Sequence, residues 1–320
     1  MNDSYEQRAY AGAADFISLC AFASATTRAC LPGRARWHPG DFAWMLGVAG
    51  HEAPQPHVQC CWQQNAGAAP VLVGVTVWSG AAEVQFACMP AVEAALAPQL
   101  LDAAWRTYAR RRERHGSAVP ESLRVLSFAS AVGRTQLLEQ AGFVREKPAG
   151  VYLMRQLHEV PLVPELGTGL RFVDGAAYDA SRRAAAHRDA WNHLAHIGLP
   201  DARSEFDLAR LMRVRACSNY THALDLVVEH EASGAYVSSA LCWLDAYSGV
   251  GLTEPVGTHV AWRQRGLSRA ANMEGMRRLH AHGMHTAVIQ TARINLPAQA
   301  TYRGCGYVQV DEDIVFARSR

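Results

Sequence analysis

The hydrophobic pattern of the C-terminal half switches repeatedly between strand and helix periods. Leu170 to Val173 reads as a short strand, and the Ala- and Arg-rich stretch from Gly175 to Ser218 as helical. Ala223 to Glu231 and Ala235 to Leu244 read as strands joined by a turn at Ala232, Ser233 and Gly234, a hairpin signal. A third strand spans Val250 to Val260 and leads directly into a long helix over Leu267 to His282, which Gly283 stops. Leu267, Ala270, Ala271, Met273, Met276 and Leu279 cover a wide face of that helix, as packing on a sheet demands. A strand over Thr286 to Thr291, a helix over about Leu296 to Arg303 and final strands up to Arg318 complete this half.

The N-terminal half closes in the same order. It has strands at Val71 to Trp78 and Glu83 to Cys88, a helix from about Val92 to Arg114 and a strand at Leu123 to Phe128. A helix ending at Gln140 and strands around Phe143 to Arg155 follow. Ala141-Gly142-Phe143-Val144 falls where Cys305-Gly306-Tyr307-Val308 falls, at an offset of 164 residues, so the chain reads as an internal repeat of one α/β unit. Between the halves, Pro161, Pro164, Gly167 and Gly169 crowd a stretch that can be neither helix nor strand. The expected organisation is α/β with mixed sheets: a unit over 1–157, a linker over 158–169 and a second unit over 170–320.

Composition adds bounds. At 320 residues the chain has room for two cores, and 49% hydrophobic with 19% charged residues excludes bulk disorder. A net charge of +2 draws it to neither nucleic acid nor an anionic membrane, and neither is expected as a partner. Lys147 is the only lysine. The eight cysteines contain no C-x-x-C pair, which argues for reduced, mostly buried thiols without a metal. Asp3, Glu6 and Arg8 open the chain where a signal peptide would have a basic flank, and no apolar run approaches ~18 residues. A soluble cytoplasmic protein is the expectation, with a homodimer left open.

The most informative stretch runs from Glu254 to Ala270, where a strand enters the turn Arg263-Gln264-Arg265-Gly266-Leu267-Ser268 and a helix begins. Helix N-termini expose unpaired N–H groups and partial positive charge, so they hold phosphates. Gly266 lets the backbone approach an anion closely, Ser268 is small, and Arg263, Arg265 and Arg269 add charge-assisted donors. The turn is neither a Walker loop nor the dinucleotide G-x-G-x-x-G.

Here the sequence resembles the GNAT family, the N-acetyltransferases that use acetyl-CoA. Their signature, Arg/Gln-x-x-Gly-x-Gly/Ala, stands as Arg263-x-x-Gly266-x-Ser268, with serine a mild departure in the last place. Asn295, Tyr302 and Gly306-Tyr307 continue the resemblance, and the two-unit layout looks like that of tandem GNAT proteins. The resemblance implies that the amides of 263–269 (Arg263, Gln264, Arg265, Gly266, Leu267, Ser268 and Arg269) grip the CoA pyrophosphate. The N-terminal unit looks empty by the same comparison. Asn295 corresponds to Ala131 and Tyr302 to Leu138, and Ala91 to Leu96 has no Gly, no Arg and one carboxylate, Glu93.

Acyl transfer to an amine requires that the amine lose a proton, the carbonyl be polarised and the thiolate be protonated. Tyr302 is the candidate acid, because a phenol near ~10 can protonate a thiolate near ~8.5; its alternative is a core tyrosine. Asn295 lies seven residues before it on the same helix face, with small Ala298 between, and serves as CoA contact, helix N-cap, or both. Glu254 is the candidate base, on a strand face with Leu252, Val256 and Val260 that would desolvate it; its alternative is a strand-end carboxylate held by an arginine, and Asp245 is the reserve. Pro255 and Gly257 suggest a bulge that frees backbone groups for the acyl carbonyl and the pantetheine arm, with Val256, Thr258 and Val260 along that arm.

Other features read as structural. His280, His282 and His285 straddle a helix end, His193 and His196 are similar, and Cys305 reads as a buried thiol. The run Arg110, Arg111, Arg112 and Arg114 reads as a solvated helix end, and Trp37, His38 and Trp44 as a core cluster with an acceptor pocket as the alternative. The expected activity is direct transfer from acetyl-CoA to an amine the sequence does not specify. The alternative is a CoA-binding or scaffold protein that kept the fold and lost catalysis.

Overall fold

The computed structural model describes residues 5–30, 35–64, 68–194, 197 and 204–319. In chain order it begins with β1 (Tyr5–Tyr10), α1 (Ala13–Ala29), α2 (Pro39–Ala49), β2 (Gln55–Gln63), β3 (Val71–Trp78) and β4 (Glu83–Cys88). It continues with α3 (Glu93–His115), β5 (Ser122–Phe128), α4 (Val132–Gln140), β6 (Val144–Gln156), β7 (Leu170–Asp174), α5 (Ala180–Trp191) and α6 (Leu208–Arg215). It closes with β8 (Asp225–His230), β9 (Ala235–Asp245), β10 (Val250–Thr258), α7 (Leu267–Ala281), β11 (Thr286–Ala292), α8 (Leu296–Gly304) and β12 (Val308–Ser319). Long single strands, β6 and β12, stand where the sequence suggested strand pairs. The helical stretch after Gly175 resolves into two helices, each N-capped by an aspartate: Asp179 accepts from Arg182 N and Asp207 from Arg210 N, both at 2.8 Å. No helix among the described residues is long and apolar enough to cross a membrane.

The chain divides into two compact units that are not contiguous in sequence: Met1–Arg36, Glu52–Val151 and Asp311–Arg320 form the first, Trp37–His51 and Tyr152–Val310 the second. The Pro/Gly-rich stretch His158 to Gly169 carries neither helix nor strand and runs within the second unit. In the first, β1-β2-β3-β4 are antiparallel neighbours, β4 and β5 pair parallel, and β5 pairs antiparallel with the last residues of β12, Asp313↔Phe128 through Ser319↔Ser122. The C-terminal strand thus completes the N-terminal unit, which no local pattern announces. A core of Val84, Phe86, Leu100, Tyr108, Leu123 and Phe316 fills the space between this sheet and α3.

In the second unit, β7-β8-β9-β10 are antiparallel and β10-β11 parallel. Helix α7 lies on β9 and β10, with Leu267 and Ala271 packed against Val228, Val237 and Ala240. Helix α5 also packs on β9 and β10. Its approach to β10 depends on Gly257, because a Cβ there would sit 2.2 Å from the Trp191 ring.

The repeat extends to individual bonds. β5 and β11 span equivalent seven-residue segments, and α4 and α8 span equivalent nine-residue segments, at the 164-residue offset. Phe143 N donates to Leu138 O as Tyr307 N donates to Tyr302 O, and Gly142 and Gly306 share φ values of 80° and 81°. Both glycines hold the left-handed turn that ends the helix, which explains the shared Gly in the matching tetrapeptides.

Candidate active site

The turn between β10 and α7 is built to leave its amides free. After β10, a single helical turn at Val260–Trp262 is closed by Trp262 N donating to His259 O at 2.9 Å. Gln264 then adopts φ 62° and Gly266 φ 77°. The first bond of α7 runs from Ala270 N to Gly266 O at 2.9 Å, so the N–H groups from Gln264 to Arg269 have no acceptor among the described residues. A Cβ at position 266 would meet nothing, so glycine is required there by φ and not by space. A left-handed glutamine is uncommon, and with Gly266 it turns successive N–H groups toward one side, the arrangement that receives anions.

The arginines of the turn divide by role. Arg263 donates to Thr258 O at 3.3 Å, Ala190 O at 3.2 Å and His193 O at 3.1 Å. Its charge is thus committed to carbonyls of β10 and of the end of α5, which corrects the expectation of a free phosphate anchor. Arg265 is exposed, lies over the Trp262 ring at 4.6 Å and makes one 3.5 Å bond to Ala261 O. The Arg269 guanidinium is exposed and has no hydrogen-bond acceptor among the described residues.

A cleft of about 690 Å3 opens beside this turn. Arg263, Gln264, Gly266, Leu267, Ser268 and Arg269 are among its lining residues. Val256 and Thr258 of β10, and Asn295, Ala298 and Tyr302 of α8, line it as well. Val260 does not: it lies beyond the strand, 43% exposed, because β10 stops at Thr258. β10 and β11 pair only from Val250–Leu252 to Thr286–Val288. Beyond that β10 stays with β9 to Thr258↔Ser238, so one of its edges carries no ladder to β11. The register shift between Thr253 and Val256 is the expected bulge; Pro255 has no N–H to give a ladder.

Asn295 is the N-cap of α8, its Oδ1 accepting from Ala298 N at 3.2 Å, and it lines the cleft as well, so both readings hold together. Tyr302 is 7% exposed and its hydroxyl has no hydrogen-bond partner among the described residues. Its ring meets Tyr307 edge-on at 6.2 Å. Burial first, then the charges of Glu254 and Cys305, raise its pKa, so it stays a proton donor.

Glu254 sits at the bulge with a buried Oε2 that has no hydrogen-bond partner. Among the described residues no arginine is paired with it. Gln290 and Asp41 are both near enough to act on it, and Gln290 Nε2 donates to Asp41 Oδ1 at 3.4 Å. Burial, followed by the Asp41 charge, raises the Glu254 pKa, and burial raises that of Asp41. Asp41 is positioned by the start of α2: its Oδ2 accepts from His38 N at 2.7 Å, while His38 Nδ1 accepts from Gly40 N and Nε2 donates to Val250 O at 3.1 Å. Asp245 is elsewhere, accepting from Tyr247 N and from Ser248 N and Oγ in the β9–β10 turn, so it is set aside as a base.

No family model matches the chain. A curated relative, the mycothiol acetyltransferase of Saccharomonospora viridis, is 24% identical over 229 residues, 66% of this chain and 71% of that one. A solved tandem GNAT protein from the clavulanic acid biosynthesis pathway superposes with a TM-score of 0.62 at 14% identity, over 99% of this chain and 98% of that one. A GCN5-related N-acetyltransferase from Sphaerobacter thermophilus superposes with a TM-score of 0.59 at 16% identity, over 98% and 95%. The chain has the tandem GNAT fold.

The two GNAT units differ at equivalent places. Ala131 stands at the N-cap of α4 without a side-chain cap, and Leu138 is fully buried where the second unit has Tyr302. Glu93 occupies the first turn of α3 and is ion-paired with Arg134, which also donates to Phe86 O at 2.7 Å.

The sequence reading missed Asp41, Gln290 and an aromatic group around Glu254. Trp44, His187, Trp191 and Phe206 line a second pocket of about 460 Å3 that reaches Glu254 and Pro255. Trp44 therefore belongs to a pocket wall, whereas Trp37 and His38 are buried. The one signal for Asp41 was its place three residues after His38, which reads only as a helix cap. Cys305 is buried, with burial raising its pKa to about 11, as a structural thiol would be. Of the arginine run, Arg111 stacks on Trp78 at 4.0 Å and Arg112 donates to Val119 O, so that helix end is held as well as solvated. His285 approaches Thr286 Oγ1 at 3.1 Å; His196 lies outside the described residues.

Proposed function

We propose that this chain is an acyltransferase of the GNAT type, carrying an acetyl group from acetyl-CoA to an amine in a ternary complex within its second unit. The observation that carries this reading is the row of unpaired amides from Gln264 to Arg269 beside a cleft that Tyr302 also lines. Those amides and the start of α7 suit a diphosphate, with Arg265 and Arg269 as the exposed charges beside it. The unladdered edge of β10 suits the amide-bearing pantetheine arm, which adds to it like a strand. Asn295 and Ala298 leave room along α8.

Glu254 accepts a proton from the acceptor ammonium, directly or through water. The freed amine nitrogen forms the new C–N bond at the thioester carbonyl as the C–S bond breaks. Tyr302 gives its hydroxyl proton to the departing thiolate, the second proton of the amine nitrogen passes through solvent to restore the Tyr302 hydroxyl, and Glu254 releases its own proton to solvent as the net proton of the reaction. A carboxylate with a raised pKa is a better base, and a buried phenol with a free hydroxyl is a competent acid. The first unit, with Glu93 and Arg134 at its helix start, is proposed to bind no CoA: the carboxylate competes with phosphate for the same amides.

Calorimetry with acetyl-CoA, followed by thiol release on adding amines, tests the reading. Binding at one site per chain and amine-dependent CoA release are expected; no binding would overturn it.

A further inference from the structure

We infer that the second pocket is the acceptor site and that its substrate is a primary monoamine on a flat apolar, aromatic body. The inference rests on the acyl-transfer reading above for what happens to the amine, and on the pocket's own walls for which amine enters. Two stacked ring pairs form those walls: Trp44 with Phe206 at 5.0 Å and His187 with Trp191 at 4.2 Å. They meet where His187 and Phe206 approach to 4.3 Å. The second pair is held by α5, and Phe206 is fastened to α5 by Arg188, whose Nη1 donates to Phe206 O at 2.9 Å.

The charges of the pocket are equally selective. Glu205 and Arg210 are paired with each other at 2.8 Å. His187 is buried with Nδ1 unpartnered, and burial followed by Arg183 and Arg188 lowers its pKa to about 3, so it is a neutral ring at any physiological pH. Among the lining residues Glu254 is then the carboxylate without a cationic partner. One cation is therefore called for at Glu254, in a pocket whose lining also holds the rings of Trp44, His187, Trp191 and Phe206. Rings pack offset or edge-on against such walls, and an ammonium passing them is attracted to the ring faces. A polyamine would bring further charges, and among the described lining residues the other carboxylate, Glu205, is already paired with Arg210; a sugar would bury hydroxyls against rings, so both are disfavoured. About 460 Å3 falls in the range of small-molecule sites.

The test is acetyl-CoA turnover with 2-phenylethylamine and tryptamine against spermidine and glucosamine. We expect kcat/KM for the two aromatic monoamines to exceed the others by roughly 30-fold or more, the discrimination that burial of one ring confers. Equal or reversed preference would overturn the inference. Trp44→Leu should raise KM for 2-phenylethylamine about tenfold, with Trp44→Phe near wild type and KM for acetyl-CoA within about twofold in both. An unchanged amine KM in Trp44→Leu would also overturn it. Calorimetry of 2-phenylethylamine binding separates this inference from the acyl-transfer reading. Trp44-dependent amine binding without acetyl-CoA binding would leave the pocket and remove the enzyme; acetyl-CoA binding with no amine heat would do the reverse.

Discussion

The carboxylates of Asp41 and Glu254, 213 positions apart in the chain, share one glutamine neighbour: Gln290 Nε2 donates to Asp41 Oδ1 at 3.4 Å and the same side chain acts to lower the pKa of Glu254. Burial raises the cost of ionising both, and the Asp41 charge adds to that of Glu254. A base tuned in this way differs from an exposed glutamate in when it is ionised, and that difference is measurable.

The ascending limb of kcat/KM against pH should lie above the ordinary carboxylate range of about 4 to 4.5, because Glu254 must lose its proton to act and its pKa is raised. Asp41→Asn removes the neighbouring charge and should move that limb to lower pH by roughly one unit. A profile identical to wild type would show that the pair is not coupled.

The same shifts bear on stability with a definite sign. For Glu254 and Asp41 the folded pKa lies above the unfolded one, so their contribution is fully present below about pH 4 and is lost as pH rises through the raised values. Melting temperature should therefore fall between acidic and mildly alkaline pH more steeply in wild type than in Glu254→Gln. Parallel curves would contradict this.

Tyr302→Phe should lower kcat by roughly 10²–10⁴-fold while acetyl-CoA affinity stays within about twofold. The hydroxyl has no partner to lose among the described residues, so the melting temperature should hardly change. Unchanged turnover would remove the acid role.

Arg263 and Arg265 should separate cleanly. Arg263→Ala frees the carbonyls of Ala190 and His193 and should cost roughly 1–3 kcal/mol of stability, read as a lower melting temperature. Arg265→Ala should leave melting unchanged and weaken acetyl-CoA about three- to tenfold by calorimetry. Equal effects on both readouts would refute the division of roles.

Gly266→Ala forces a Cβ onto a residue at φ 77°, at a cost of roughly 1–2 kcal/mol, although nothing crowds the position. The turn is expected to relax, misalign its amides and lose about tenfold in acetyl-CoA affinity. Undiminished affinity would mean that the amides are not the anchor.

What was legible in the sequence was local. The α8 helix with Asn295 at its cap, the bulge at Pro255 and the 164-residue repeat follow from spacing and backbone sterics, which depend on a few adjacent residues, whereas the φ requirement at Gly266 came from the structure. Tyr302 stood out through the resemblance to the GNAT family, with the face it shares with Asn295 in support. The tertiary structure alone decided the rest. It gave the last strand to the first unit, turned Arg263 onto carbonyls, brought Asp41 and Gln290 to Glu254 and gathered Trp44, His187, Trp191 and Phe206 into one pocket. Desolvation and charge at a site are sums over whatever the sheet and helices bring near, and those neighbours are distant in the chain, where no periodicity connects them.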